Sequence, residues 1–366
     1  MKYMIILLMI VFSSMTLLGQ RSESKKLEKY VSKYVEMEID LNKNPGILIG
    51  IIDGDSTYVY GFGEAEKGTS RPPTDSAIFE IGSMTKVFTA SLLQILVDEG
   101  KIDYQKTLAD YLKKEQLHES IQNLTVWSLA THTSGFPRVP TNFSIKDKDP
   151  NNPFKNYTDK DFDEFLADYN LFQTGNYIYS HTNFALIERI IETVENKDFQ
   201  LVLEEKLLRP LGLKNTTHGL DENQKQRLNP GYLLDGTPAP TAIFSTFYGS
   251  IGLMSDMNDL IRFVQVNLEI GQELPLQSSL IKTQVSQVNT GIETYIDTGI
   301  GWHIVRPKRK YYGIVSHRGT GVGHQAYIAF IPETQTGVIV LANSRNSLEG
   351  LGFFMLKMIN NNWKRK

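Results

Sequence analysis

A serine three residues ahead of a lysine can do acyl chemistry when both lie on one face of a helix, and Ile81-Gly82-Ser83-Met84-Thr85-Lys86 has that spacing. Side chains three apart are neighbours on a helix surface, so Lys86 falls over Ser83 one turn later. A serine hydroxyl becomes a useful nucleophile only when a neighbour takes its proton. An amine can do so once burial or a nearby cation lowers its pKa from about 10.4. The positive end of the helix would face the oxyanion formed by the attack. Alone the pattern is weak, because Ser-x-x-Lys recurs at Ser22–Lys25 and Ser279–Lys282 and a serine opening a helix is also an ordinary cap. Ser83 differs in following an expected strand and glycine turn.

Two other clusters carry suitable groups. Tyr179-Ser180-His181 follows Gly175 and precedes an apolar helix from Phe184 to Val194. A phenol at a helix entrance can shuttle a proton, with a cation such as Lys86 stabilising its phenolate; in a chain with 17 tyrosines, a packing residue is the commoner reading of any single one. His317-Arg318-Gly319-Thr320-Gly321 ends a strand in a glycine-rich turn. An edge strand there could hold an extended substrate and lend N–H groups to an oxyanion hole, Gly319 leaving room for close approach. A hairpin turn with an exposed histidine is the plainer alternative. Leu129 to Gly135 holds His132 and Ser134 but no Gly-x-Ser-x-Gly elbow, and reads as scaffold. The histidines show no metal-ligand spacing, and Gly61-x-Gly63 lacks the helix that a dinucleotide site needs.

Hydrophobic periodicity supplies the elements that would carry these groups. Residues 23–41 read as an amphipathic helix with Leu27, Val31, Tyr34 and Val35 on one face. Gly46–Ile52 and Thr57–Phe62 read as a hairpin turning at Asp53-Gly54-Asp55. Ile78–Ile81 is a short strand feeding a helix from Ser83 to Glu99, closed by Gly100. From about Lys101 to Gln284 the pattern is mostly helical, with Thr158 capping one helix and Ser255 starting another that holds Leu260, Phe263 and Val264. Phe136–Asn156, rich in Pro, Asn, Asp and Lys, reads as a wandering surface loop. Strands return at Tyr311–His317, Gln325–Ile331 and Thr336–Leu341, and Leu348–Trp363 is a closing helix. Strands at both ends predict one mixed sheet built from both termini with a helical lobe inserted. The sheet lobe spans about 20–100 and 285–366 and the helical lobe about 101–284, folded as one unit.

The composition is that of an ordinary soluble enzyme, and a formal net charge of −3 gives no basic field for nucleic acid. Lys2, the apolar run Met4–Phe12 and the mixed stretch to Gln20 have the layout of a signal peptide over 1–19, with Gly19 as a possible cleavage position. The run is shorter than the roughly 20 residues of a membrane span, so an exported, periplasmic or secreted protein without a membrane span is expected. The absence of cysteine excludes a lipid anchor at residue 20, disulfides and thiolate zinc sites.

In order and context, these motifs resemble the serine β-lactamase and penicillin-binding-protein family, closest to the branch of class C β-lactamases, D-alanyl-D-alanine carboxypeptidases and related esterases. The resemblance runs from about Gly46 to Asn343 through Phe79–Lys86, Leu129–Pro137, Arg209–Leu213, Gly252–Ser255, Gly299–Trp302 and Leu341–Ser344. It implies an α/β (α+β) fold of the β-lactamase/DD-peptidase type, an antiparallel sheet flanked by helices. It implies Ser83 as the acylated residue, Lys86 as its proton partner and Tyr179 as the second acid/base. The N–H groups of Ser83 and Thr320 would form the oxyanion hole beside Gly319. His317 stands where lactamases usually carry Lys, and relatives with His there include carboxypeptidases. Three features depart from the pattern. His181 occupies a place usually held by Asn, the loop from Gly175 to Tyr179 is one residue shorter, and Arg318 replaces a small residue. The Arg318 fork could bind a substrate carboxylate or face solvent. The expected function is a serine hydrolase acting on D-Ala-D-Ala-type peptidoglycan peptides or β-lactams, with a carboxylesterase or a non-hydrolytic wall sensor open on the same scaffold. No metal or organic cofactor is expected, and the oligomeric state is not legible.

Overall fold

The computed structural model describes residues 24–39, 44–143, 149, 151–308 and 311–360. The expected signal segment lies outside them, as does the end of the closing helix beyond Asn360. The strands are β1 (Gly46–Asp53), β2 (Ser56–Gly63), β3 (Phe79–Glu80), β4 (Met254–Ser255), β5 (Val288–Asn289), β6 (Ile296–Thr298), β7 (His303–Val305), β8 (Ile314–Thr320), β9 (Gln325–Ile331) and β10 (Thr336–Ala342). Eight of them form one sheet in the order β2-β1-β10-β9-β8-β7-β6-β5, with every pairing antiparallel. The N-terminal hairpin thus lies beside the last strand, as both-ends patterning predicts.

β1 is apolar on both faces because both are covered. Ile47, Ile49 and Ile51 enter a core with Leu27, Val31 and Val35 of α1 (residues 24–39), while Leu48 and Ile52 enter the larger core shared with the helical lobe. On that side of the sheet lie α2 (Thr85–Asp98) and, from the inserted helical stretch, α3 (Val126–Ala130), α4 (Asp159–Asp168), α5 (His181–Glu195), α6 (Tyr248–Ile251) and α7 (Met257–Asn267). The closing helix, α8 (Glu349–Asn360), covers the outer face of the sheet with Met355, Leu356 and Ile359. α4 starts in a capping box: Thr158 Oγ1 accepts from Asp161 N–H, and Asp161 Oδ2 accepts from Thr158 N–H at 2.7 Å.

The structure corrects four expectations. The third-last strand starts at Ile314, not Tyr311, which makes only an isolated bridge to Lys308. Ser255 does not start α7. It pairs with Phe79 in the two-stranded β3–β4 sheet, and Asp256 caps the helix instead. Strands β5 to β7 occupy a stretch where no strand was expected, being too short for periodicity to reveal. Phe136–Asn156 is not simply a surface loop, since Phe136 and Asn152 at its two ends are buried. Asn152 is satisfied there, donating to Thr241 O at 2.9 Å and accepting from Ile243 N–H at 3.2 Å.

Where the two chain ends meet, buried Asn343 accepts from Gly46 N–H at 2.6 Å and donates to Glu64 O at 3.0 Å and Ala65 O at 2.9 Å. Asn343→Ala strands three backbone groups from two segments, Gly46 and Glu64–Ala65. Equilibrium urea unfolding is expected to show a loss of about 2–4 kcal/mol at unchanged m-value.

Candidate active site

The strand β3 ends where Ile81 N–H donates to Leu253 O at 3.1 Å, and Gly82, at φ +49°, turns the chain into a single 3₁₀ turn, Gly82–Met84. Regular helix follows only from Thr85, so Ser83 lies on the tight turn ahead of α2. A side chain at Gly82 would overlap the backbone of Thr320, and one at Gly319 would drive into the Ile81 carbonyl. These two glycines let the end of β8 lie directly against the Ser83 turn. β8 is an edge only there: β7 pairs with it across Ile314–Ser316, and residues 317–320 run past that partner.

Lys86 is fully buried. Its Nζ donates to Ser250 O at 2.9 Å and contacts His181 Nδ1 at 3.0 Å, and Ser250 Oγ is also 3.0 Å from that nitrogen. An Nδ1 accepting from Lys86 leaves the ring proton of His181 on Nε2. Burial, then the nearby Arg138 charge, pulls Lys86 well below the ordinary amine range. Burial, then Lys86, does the same to His181. Ser250 is set by α6, whose Gly249 N–H donates to Glu188 Oε2 at 2.9 Å and whose Gly249 O accepts from Thr89 Oγ1 at 2.6 Å. Burial pushes Glu188 up to about 8, so its protonated form is favoured at neutral pH.

Tyr179 lines the same cleft as Ser83, whose side chain lowers the proton affinity of the phenol, and Lys86 Nζ stands 5.0 Å from the centre of its ring. Burial pushes Tyr179 up to about 12, against the pull of Ser83, Arg138 and Arg318. Arg138, from the segment read as a surface loop, places its guanidinium 5.3 Å from the same ring. Four imidazoles surround the phenol, with ring centres at 4.7 Å (His132), 5.7 Å (His181), 6.2 Å (His303) and 6.3 Å (His317). Each is pulled below the ordinary histidine range chiefly by burial, His303 to about 4, so all four are neutral at pH 7.

His132 and Ser134 act as frame. His132 Nδ1 accepts from Ser180 N–H at 3.1 Å, and Ser134 Oγ donates to Asn183 Oδ1 at 2.7 Å, fixing the start of α5. His317 is not the exposed histidine of a simple turn. It is buried, stacks on His303 with centres 5.4 Å apart, and its Nδ1 has no hydrogen-bond partner among the described residues. Arg318 is exposed and pairs with Glu349 at 3.2 Å. Glu80 ties the turn after Thr320 to the strand entering Ser83, accepting from Val322 N–H at 2.7 Å and Ala242 N–H at 2.6 Å beside His324. Burial pushes its carboxyl up, but His324 and those N–H groups outweigh it and hold Glu80 below its usual range.

Ser83, Tyr179, His181, His317, Arg318 and Thr320 thus line one cleft of about 790 Å³, with Lys86 buried beneath. Arg138, Tyr177 and His303 line it too and were not singled out in the sequence; Ser250, behind Lys86, was also missed. His303 directly follows the Gly299–Trp302 match and Ser250 precedes the Gly252–Ser255 match, the only local signals that pointed to them. Tyr177 reaches His303 Nε2 at 2.9 Å through its hydroxyl.

The model of the β-lactamase family matches residues 28–351. A β-lactamase of Providencia stuartii is 25% identical over 82% of this chain and 82% of its own. The D-alanyl-D-alanine-carboxypeptidase/endopeptidase AmpH of Escherichia coli K12 is 25% identical over 86% of this chain and 85% of its own. The solved β-lactamase/D-alanine carboxypeptidase of Pseudomonas syringae superposes with a TM-score of 0.79 at 21% identity, covering 92% of this chain and 99% of that one. A class C β-lactamase of Rhodobacter sphaeroides gives 0.78 at 20% identity, over 92% and 99%. The expected fold is therefore present, and the chain belongs to the β-lactamase family, as a hydrolase with that family's antiparallel sheet and flanking helices.

Proposed function

We propose that Ser83 is the nucleophile of an acyl-enzyme mechanism acting on peptidoglycan peptides ending in D-Ala-D-Ala and on β-lactams. The observation that carries this reading is the meeting of Ser83 and Tyr179 in one cleft above a buried Lys86 that makes no ion pair with any described acid. In this reading the attack requires the Lys86–Tyr179 pair in the form that holds one labile proton, the form that burial of Lys86 favours. The pair can accept one more. Ser83 Oγ bonds to the substrate carbonyl carbon as its proton passes to the pair through Tyr179. The oxyanion is met by the N–H groups of Ser83 and Thr320. The C–N bond breaks, the pair returns its proton to the leaving nitrogen, and water then clears the acyl group by the reverse transfers.

The departures at 181 and 318 fit this reading. His181 keeps a hydrogen bond to Lys86. The Arg318 charge is compensated by Glu349, which favours His317, whose Nδ1 is unpartnered, as the cleft's contact for the substrate's polar end. The Lys2 and Met4–Phe12 layout supports export to the compartment where such peptides occur.

Incubation with benzylpenicillin, followed by intact mass, is expected to show an adduct on the wild type and none on Ser83→Ala. A persistent adduct assigns the chain to slow, carboxypeptidase-like deacylation, and rapid loss with penicillin consumed assigns it to lactam turnover. No adduct, with fast hydrolysis of short p-nitrophenyl esters, would replace this reading by a carboxylesterase.

The second test addresses the oxyanion hole. A methyl at 319 cannot coexist with the Ile81 carbonyl, so β8 must retreat from the Ser83 turn. Gly319→Ala is expected to slow acylation by about 100-fold or more, the cost of losing one oxyanion donor, with little change in the non-covalent affinity for substrate.

A further inference from the structure

The groups facing Tyr179 come from every element packed around it. The Gly82–Met84 turn supplies Ser83, α2 Lys86, the turn after α3 His132, α5 His181, β7 His303, and β8 His317 and Arg318. Tyr177, two residues away, lies behind against His132 and His303. Arg138 completes the set. No carboxylate is among them. The acids of the same cleft, Glu80 and Glu349, are engaged by His324 with backbone N–H groups and by Arg318 respectively.

An amine or imidazole buried without an acid can lose its proton; a guanidinium cannot. Arg318 carries a fixed charge but spends it on Glu349. Arg138 makes no ion pair with any described residue, and its influence reaches Lys86, His132, Tyr177, Tyr179 and His181. Its backbone is anchored as well, because Arg138 O accepts from His181 N–H at 2.8 Å at the start of α5.

We propose that Arg138 is the fixed positive charge that keeps the Lys86–Tyr179 pair in its base form at neutral pH, acting through Tyr179 as a positioning residue for acyl transfer. The proposal rests on the reading of Ser83 and Tyr179 given above. The pair has a doubly protonated form with one positive charge and a singly protonated form with none. A neighbouring cation opposes the extra proton whichever of the two atoms holds it. Removing that cation therefore raises the pH at which the pair loses its first proton and becomes a base.

The test is the pH profile of the second-order rate constant for Ser83 acylation by benzylpenicillin, with a D-Ala-D-Ala tripeptide as second probe. Wild type, Arg138→Lys, Arg138→Gln and Arg138→Glu are compared, with unfolding curves to verify each fold. Arg138 is exposed, so its charge is partly screened. The rising limb is expected to move up by about half to one pH unit in Arg138→Gln, a threefold to tenfold loss on the limb. The shift should be larger in Arg138→Glu and small in Arg138→Lys, with plateau rates at high pH converging. His303, at about 4, titrates below the limb and cannot imitate the shift. An equal fractional loss at every pH would overturn the proposal, as would weaker saturation with the limb unmoved, which marks a substrate contact instead. Absence of a Ser83 adduct with either probe at any pH in the wild type would remove the acyl-enzyme reading itself, a failure distinct from an unmoved limb.

Discussion

Two backbones have to touch for this cleft to work, the turn at Gly82–Met84 and the end of β8, and they approach so closely that neither Gly82 nor Gly319 has room for a Cβ. The rest of the architecture serves that contact. β7 pairs with β8 only as far as Ser316, which leaves the last four residues of the strand open toward the cleft. Glu80, one strand position from the turn, reaches across to Val322 and fixes the far side of the same contact. A buried carboxylate is expensive unless its lone pairs are filled, and here they are filled by N–H groups of the segments it must hold.

Electrostatics in the cleft follow from the same packing. Burying Lys86 beneath Tyr179, with no described acid paired to it, costs the ammonium its hydration and pulls the amine well below its ordinary range. The neighbouring residues respect that balance. Four imidazoles are neutral for the same reason, and Glu188, the acid behind α6, is pushed up to about 8, which favours its uncharged form. The site is basic in composition yet close to neutral in charge, with the fixed guanidiniums confined to the cleft wall.

Much of this was legible in the sequence because it is local. The strand–glycine–serine–helix order around Ser83, the hairpin at 46–63 and the capped helix at Thr158 are each specified within a few residues. What escaped was specified at a distance. Polar composition marked 136–156 as surface, but Asn152 is polar and buried, its amide satisfied by Thr241 and Ile243 from another segment. Arg138 belongs to the same stretch, so its place beside Tyr179 was hidden with it. Ser250 contributes a backbone carbonyl to Lys86, a role that no side-chain pattern encodes. His303 lies on a strand of three residues, too short to announce itself by alternation.

The same distance argument explains why the sheet is built from both ends of the chain. Ser83 enters from β3 early in the sequence and Thr320 from β8 late, so their contact closes a very long loop. Such a closure is entropically costly and has to be compensated by contacts made elsewhere. The compensation is the pairing of β1 with β10 along seven residues, locked at its end by Asn343. β9 and β8 are joined to β10 in register by short connections, and the helical segment is tethered to the sheet at both ends. The Gly82–Met84 turn and the end of β8 are therefore held against each other by the closed sheet, which brings together segments far apart in the sequence.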